Sequence, residues 1–330
     1  MIWANRKAGL YFRIAVSVIL LGVVLSFVDI EQVKSVIARI SYGYFLVIVV
    51  FALADRAMMA FKWRNLITIK NICLSFNRAL AIYLISGFVG VVLPTGIGAD
   101  IYRIHYTSKI LGGLQHVASS VVMERLMGIT ASTVFAVLGI LVMTTLTAES
   151  SVDEEVLLHI FVVLAVLNIL FILSMTNASF KLVNRLLQNL GKEKITNIVL
   201  SFHEAYLEFG LHKKVLLLFF FLSVIEQAFF VVITYFAALA IDVRIEWFYF
   251  IGIVPVCQIL KRIPISINSI GVQEGLFAYF FTQVGMSVTE ALSLSVLIRI
   301  AQWVVVLIGG VLYVTDSRVQ VDSEFLQTKT

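Results

Sequence analysis

The apolar runs of this chain come in two lengths, and that difference limits its possible folds more than any other feature. Runs of about 20 residues or more, long enough to cross a hydrocarbon core as helices, occupy 10–28, 43–62, 116–145, 156–176, 214–240 and 288–314. Two further regions, 79–111 and 246–286, are broken. In the first, an apolar arm reaches Pro94 and a shorter arm follows Asp100. In the second, an arm of similar length ends at "KRIPISINSIGVQEG", and the short "LFAYFFTQVG" follows. An arm of about 15 residues rises about 22 Å, short of a core about 30 Å thick.

Composition fixes the solvent in which these runs fold. Of 330 residues, 60% are hydrophobic and 14% charged, with a mean hydropathy of +1.00. A soluble domain carries about 25% charged residues, so the chain cannot cover a water-facing surface. The runs are continuous rather than alternating, which predicts an all-α integral membrane protein and not a barrel. The formal charge of +5 suits Lys and Arg gathered in cytoplasmic loops and calls for no nucleic acid. Cys73 and Cys257 form no metal or redox motif. His105, His116, His159, His203 and His212 lack ligand spacing, and neither a phosphate-binding loop nor a nucleophile elbow is present. The expectation is therefore no metal, no cofactor and no enzymatic activity. "GLYFRIAVSVILLGVVLSFV" has no small-residue cleavage site after it and reads as a retained first span.

Charge asymmetry orients the spans. Arg6, Lys7 and Arg13 place the N-terminus in the cytoplasm, and Lys62, Arg64, Lys70 and Arg78 do the same for a 63–78 loop. Glu149, Asp153, Glu154 and Glu155 suit an outer loop at 147–155, whereas 177–213 is rich in lysine. These placements agree if 79–111 and 246–286 are re-entrant hairpins, one entering from each side. Arg318 and Lys329 then return the C-terminus to the cytoplasm. The predicted architecture is a polytopic helical bundle of six full spans plus two hairpins. In the alternative, eight spans by hydropathy, each short arm crosses as a thin span and carries a mismatch cost.

With hairpins, each half reads span, span, hairpin, span, and the halves face opposite ways. One transmembrane domain, 1–330, divides into a first inverted repeat at 1–145 and a second at 156–318. The offset is about 170 residues, which pairs Pro94 with Pro264 and brings Asp55 near the counterpart of Glu226. Broken helices in inverted repeats are a transporter design. Within 179–213, Ile195, Ile198, Val199, Phe202, Tyr206 and Phe209 recur at helical spacing, predicting an amphipathic cytoplasmic helix that links the halves.

The charges inside apolar segments mark the candidate site. A charge at the centre of a membrane helix costs about 2.5 to 3.5 kcal/mol on insertion scales. The chain nonetheless keeps Asp55 with Arg56, Asp100 with Arg103, Glu124 with Arg125, Glu226, Lys261 with Arg262, Glu274 and Arg299. Arg103, Arg125 and Arg299 offer planar forks suited to phosphate or carboxylate. Asp55, Arg56 and Glu226 read as a buried charge set, serving either neutralisation or function. Lys261 and Arg262 either snorkel to the interface or serve the site. In "PTGIGAD", Pro94 stops the arm, Gly96 and Gly98 permit a turn, and Asp100 is placed to cap the next helix. "PISINSIGVQE" repeats the plan with Pro264, Asn268, Ser269, Gly271 and Glu274.

"LPTGIGADIYR", "SSVVMERLMG" and "IPISINSIGVQEG", in that order, resemble the flippase-like membrane region of lysylphosphatidylglycerol synthases, which also occurs as stand-alone membrane proteins. The similarity covers almost the whole chain. It implies a bacterial or archaeal cytoplasmic membrane protein that moves lipids or lipid-linked precursors between leaflets. The resemblance is to the membrane region and not to the cytosolic domain that attaches lysine in the synthases, so synthase activity is not expected. Matching positions are Pro94, Gly98, Asp100, Arg103, Glu124, Arg125, Pro264, Gly271 and Glu274. Gly90 and its neighbours stand where an asparagine often precedes the first motif, and Asn268-Ser269 replaces a glycine pair in the second.

The expected function is a flippase-like transporter of a phospholipid or polyprenyl-phosphate-linked precursor. Arg103, Arg125 and Arg299 would engage phosphate, while Asp100, Glu124 and Glu274 orient them or bind an amine or proton. The expected partners are membrane lipids and enzymes of envelope or polysaccharide biosynthesis. Three other readings stay open: a membrane-embedded lipid-modifying enzyme, a secondary transporter of a small anionic solute, and a scaffold for envelope enzymes.

Overall fold

The computed structural model describes residues 40–92, 98–147, 193–263 and 266–315, together with 162, 165, 166, 168–176, 178, 179, 181, 184 and 185. The expected first span at 10–28, part of 156–176, both termini, Pro94, Gly96 and Pro264 lie outside the described residues. Among the described residues every regular element is helical.

Among the described residues, four helices are long and apolar enough to cross a membrane: α1 (Tyr42–Thr68), α4 (Leu114–Leu146), α6 (Lys213–Ala240) and α9 (Val288–Thr315). Their lengths of 27, 33, 28 and 28 residues give rises of about 40 to 50 Å. Between them lie the short helices α2 (Phe76–Val92), α3 (Gly98–Leu111), α7 (Trp247–Leu260) and α8 (Val272–Thr282), and α5 (Glu193–Leu207) precedes α6. The order long, short, short, long thus occurs twice. α1 and α2 start 171 residues before α6 and α7, while α3 and α4 start 174 residues before α8 and α9. The turns after α1 and α6 repeat too, with Asn71 (φ 56°) and Asp242 (φ 58°) in the left-handed conformation that these side chains tolerate at helix ends.

Each pair of short helices forms an antiparallel hairpin. At the tip of the first, a Cβ on Gly90 would sit 2.7 Å from the Ala99 Cβ, so α2 and α3 meet there only because residue 90 is glycine. At its base, Arg78 Nη2 donates to the Tyr106 hydroxyl at 3.0 Å. In the second hairpin, Phe250 and Phe281 pack at the base with ring centroids 5.3 Å apart. At its tip, Lys261 Nζ donates to Gln273 Oε1 at 2.8 Å.

The halves interlock most extensively through three helix pairs. α1 runs antiparallel to α6, with Tyr44 near Phe236, Phe51 near Phe229 and Lys62 near Ser223. α4 of the first half lies on α7 of the second, and α9 of the second lies on α2 of the first. Both crossed contacts are glycine on carbonyl: a Cβ at Gly139 or Gly309 would lie 2.1 Å from the Ile251 or Leu84 oxygen. The exposed Ile251 oxygen has a local cause. Pro255 sits inside α7 without an N–H, so the carbonyl four residues earlier loses its helical donor.

α5 docks on the protein through its C-terminal end. Tyr206 and Phe209 are buried with Leu66, Met123, Met127, Phe171 and Phe219. Lys70 fastens this end by donating to the Ala205 carbonyl and to Glu208 Oε2, the latter at 2.5 Å. Burial pushes the Lys70 ammonium below its ordinary range, and Glu208 opposes that shift.

One sequence expectation is corrected here. The expected 63–78 loop is helical through Thr68, and Lys62 is buried inside α1 with 3% of its surface exposed. The helix continues because its charged side chains find partners. Lys62 bonds across to α6, and Arg64 Nε donates to the Leu74 carbonyl at 2.8 Å.

Candidate functional site

In the first half, Asp100 is the third residue of α3 and faces two arginines. Its Oδ2 accepts from Arg125 Nε at 2.8 Å and lies 2.7 Å from Arg125 Nη2, while its Oδ1 accepts from Arg103 Nη2 at 3.3 Å. Arg103, one turn along α3 with 3% of its side chain exposed, also lies 2.9 Å from Glu124 Oε2. Its guanidinium carbon stands 4.4 Å from the Tyr83 ring and 5.0 Å from the Trp63 ring, in reach of both π-faces. The Tyr83 hydroxyl donates to Glu124, and Trp63 Nε1 donates to Ser120 Oγ at 3.1 Å. Arg103 is thus enclosed on all sides, whereas Arg125 keeps 54% of its side chain exposed.

The second half carries the counterpart. Glu274 is the third residue of α8, as Asp100 is of α3. Arg299 follows Glu274 by 25 residues, as Arg125 follows Asp100. Arg299 Nε and Nη2 reach Glu274 Oε1 at 3.0 and 2.6 Å. The same guanidinium donates to the carbonyls of Asn268 and Ser269 at 3.3 and 3.5 Å. Glu274 Oε2 accepts from the Gly271 amide at 2.8 Å, closing the first turn of α8. The tip needs left-handed backbone at Asn268 (φ 49°), Ser269 (φ 56°) and Gly271 (φ 80°). Ser269 is held there by its hydroxyl, which donates to the Lys261 carbonyl at 2.9 Å.

The tips of the two hairpins touch. Asn268 Nδ2 reaches the Val91 carbonyl at 3.4 Å. Arg262, at the end of α7, brings Nη1 within 3.8 Å of where a Gly128 Cβ would stand, one turn along α4 from Arg125. Arg262 of the second half thus approaches the same stretch of α4 that carries Arg125 of the first. No carboxylate among the described residues pairs with Arg262. Around the tips, Arg103, Arg125, Arg262 and Arg299 face Asp100, Glu124 and Glu274. Arginine stays charged, so the cluster keeps a positive excess that an anion can neutralise.

The central charges on α1 and α6 sort differently from the expected set. Asp55 pairs with its neighbour Arg56 at 3.2 Å. Glu226 instead bonds Lys62, which also donates to Ser223 Oγ at 2.9 Å. Of the expected site residues, the structure brings Asp100, Arg103, Glu124 and Arg125 into one network and Asn268, Ser269, Gly271, Glu274 and Arg299 into another, with Gly98 opening α3. Sequence reasoning passed over Tyr83, Trp63, Gln273 and Ser295, whose ordinary residue types carry no signal. Ser295 Oγ supports the second network by accepting from Gln273 Nε2 at 2.9 Å.

The two hairpins meet tip to tip, each with an acid at its helix start held by an arginine 25 residues later. The pattern for the lysylphosphatidylglycerol synthase transmembrane region matches residues 10–310. The chain belongs to that family. The UPF0104 membrane protein PH1989 of Pyrococcus horikoshii is 22% identical over 337 residues, covering 95% of this chain and 99% of that protein. The chain is a helical, multi-pass membrane protein of this family.

Proposed function

We propose that the chain is a flippase-like transporter that carries an anionic lipid headgroup, a phospholipid or polyprenyl-phosphate-linked precursor, between the two hairpin tips. The observation that carries this reading is the positive excess at the tips, with Arg262 of one half reaching α4 at Gly128, one turn from Arg125 of the other. Two forks on separate bodies can share one phosphate, and a bidentate guanidinium–phosphate contact is strong in a dry site. Arg299, fixed by Glu274, adds a third fork, and Asn268 lies exposed between them. Arg103 serves as a positioning residue that holds Asp100, and through it Arg125.

The antiparallel packing of α1 on α6 and the repeated order support an inverted repeat in which the hairpins are re-entrant, one from each side. One half can then rock against the other around a site at mid-depth. The acyl chains stay in the bilayer, so a small polar contact region suffices. Lysine and arginine in the loops support cytoplasmic termini in the cytoplasmic (inner) membrane. No catalytic step is assigned, and enzymes of envelope or polysaccharide biosynthesis are the expected partners that would use the relocated lipid.

The test is leaflet exchange of fluorescent phosphatidylglycerol in proteoliposomes. Wild-type protein should accelerate exchange without altering the lipid mass, and Arg262→Gln should slow it at least about tenfold, the effect of losing about 1.4 kcal/mol of binding. Unchanged exchange in Arg262→Gln overturns the reading, and a changed lipid mass points to a lipid-modifying enzyme instead.

A further inference from the structure

A second polar cleft lies away from the hairpin tips, at the base of the first hairpin. It measures about 360 Å³ and is lined by Cys73, Leu74, Ser75, Arg78, Ile82, Thr107, Ile110 and Leu111, a size within the range of small-molecule sites. The loop after α1, the start of α2 and the end of α3 form its walls. The 27 residues of α1 rise about 40 Å, more than a hydrocarbon core about 30 Å thick, and the cleft lies past its C-terminal end, where a headgroup would stand.

Three features of the cleft point to an oxyanion. Arg78 projects from the first turn of α2, where its guanidinium donates to the neutral Tyr106 hydroxyl at 3.0 Å. No carboxylate among the described residues pairs with it. The first helical amide bond, from Ala79 to the Ser75 carbonyl, leaves the amides of Phe76, Asn77 and Arg78 at the positive end of a 17-residue helix. Thr107 is fully buried in the cleft wall, and its Oγ1 has no hydrogen-bond partner, which is costly unless a ligand or water fills that need. The mouth is apolar. Ile110 and Leu111 are 42% and 38% exposed, and Leu114 just beyond them is 54% exposed.

We infer that this cleft binds the phosphate of an anionic membrane lipid, held by Arg78, the first turn of α2 and the Thr107 hydroxyl, with its acyl chains along Ile110, Leu111 and Leu114. The inference is independent of the transport reading, because none of these residues belongs to the tip networks. A bound lipid here would brace the base of α2 against α3.

Cys73 lines the cleft and is exposed, whereas Cys257 is buried, so maleimide selects Cys73 as a reporter. Labelling rates are to be compared in nanodiscs of pure phosphatidylcholine, of phosphatidylcholine with phosphatidylglycerol, and of phosphatidylcholine with inorganic phosphate in the buffer. Phosphatidylglycerol should slow labelling several-fold while inorganic phosphate leaves it unchanged. Arg78→Gln should abolish that protection, and Thr107→Val should weaken it while keeping the side-chain shape. Native mass spectrometry should show one fewer retained phosphatidylglycerol in Arg78→Gln than in wild type. Equal labelling in all three conditions overturns the inference. So does protection that survives Arg78→Gln, which would reflect membrane surface charge alone. Equal protection by inorganic phosphate overturns the lipid assignment.

Discussion

The two acid–arginine pairs at the hairpin tips share a spacing and a geometry, yet they are built to different degrees of rigidity. Arg299 is held by Glu274 and two backbone carbonyls, and only 15% of its side chain is exposed. Arg125 is held by Asp100 alone and is 54% exposed. The rigidity of the first half sits one residue set away, in Arg103 between Trp63, Tyr83 and Glu124. The same duplicated plan thus yields a fixed guanidinium in one half and an available one in the other. An arginine buried with its partners holds the scaffold, and one free to reach outward is suited to a ligand.

Substitutions can break that contrast. The largest loss of stability is expected for Arg103→Ala, which leaves Glu124 buried without its cation, a change that costs about 3 to 5 kcal/mol. Thermal unfolding in detergent should register it as the largest fall in Tm of the series. Arg299→Ala should cost less, about 1 to 3 kcal/mol, because it frees one carboxylate that still has the Gly271 amide. An equal fall for Arg299→Ala and Arg103→Ala would erase the distinction drawn here. Arg125→Ala should shift stability by no more than about 1 kcal/mol, as exposed ion pairs do. Its lipid exchange should nonetheless fall at least as far as that of Arg299→Ala, measured in the same proteoliposomes. An Arg125→Ala protein that unfolds as early as Arg103→Ala would make the first pair structural as well.

The fold was legible wherever the hydrophobic effect alone sets the pattern. Apolar runs at 116–145, 214–240 and 288–314 became helices at Leu114–Leu146, Lys213–Ala240 and Val288–Thr315. The run at 43–62 stops short of the end of α1 because Lys62 and Arg64 carry the local signal of a span end. Their partners Glu226 and Leu74 lie elsewhere in the fold, and no local pattern announces them. Pro255 shows the converse. It lies inside α7 without ending it, since the carbonyl it frees is covered by Gly139 of another helix. The acids and arginines of the site were legible because charge in an apolar run is expensive. Which arginine is enclosed and which is free was not, because that depends on Trp63, Tyr83 and the Gly271 amide. The glycine pair expected at Asn268-Ser269 has a physical basis in the left-handed backbone there, which this chain meets with an asparagine and a hydroxyl anchor.

Lys62 and Glu226 stand 164 residues apart in the chain, and that separation bears on how the protein is made. At about 5 to 20 residues per second, the carboxylate is synthesised roughly 8 to 33 s after the lysine. During that interval the ammonium near the C-terminal end of α1 lacks its hydrogen-bonded carboxylate, and the flexible stem lets it reach the headgroups. Its bonds to Ser223 and Glu226 form only when α6 arrives. The first half of the bundle therefore finishes assembling after the second has begun, and the pair acts as a late latch between two nascent halves.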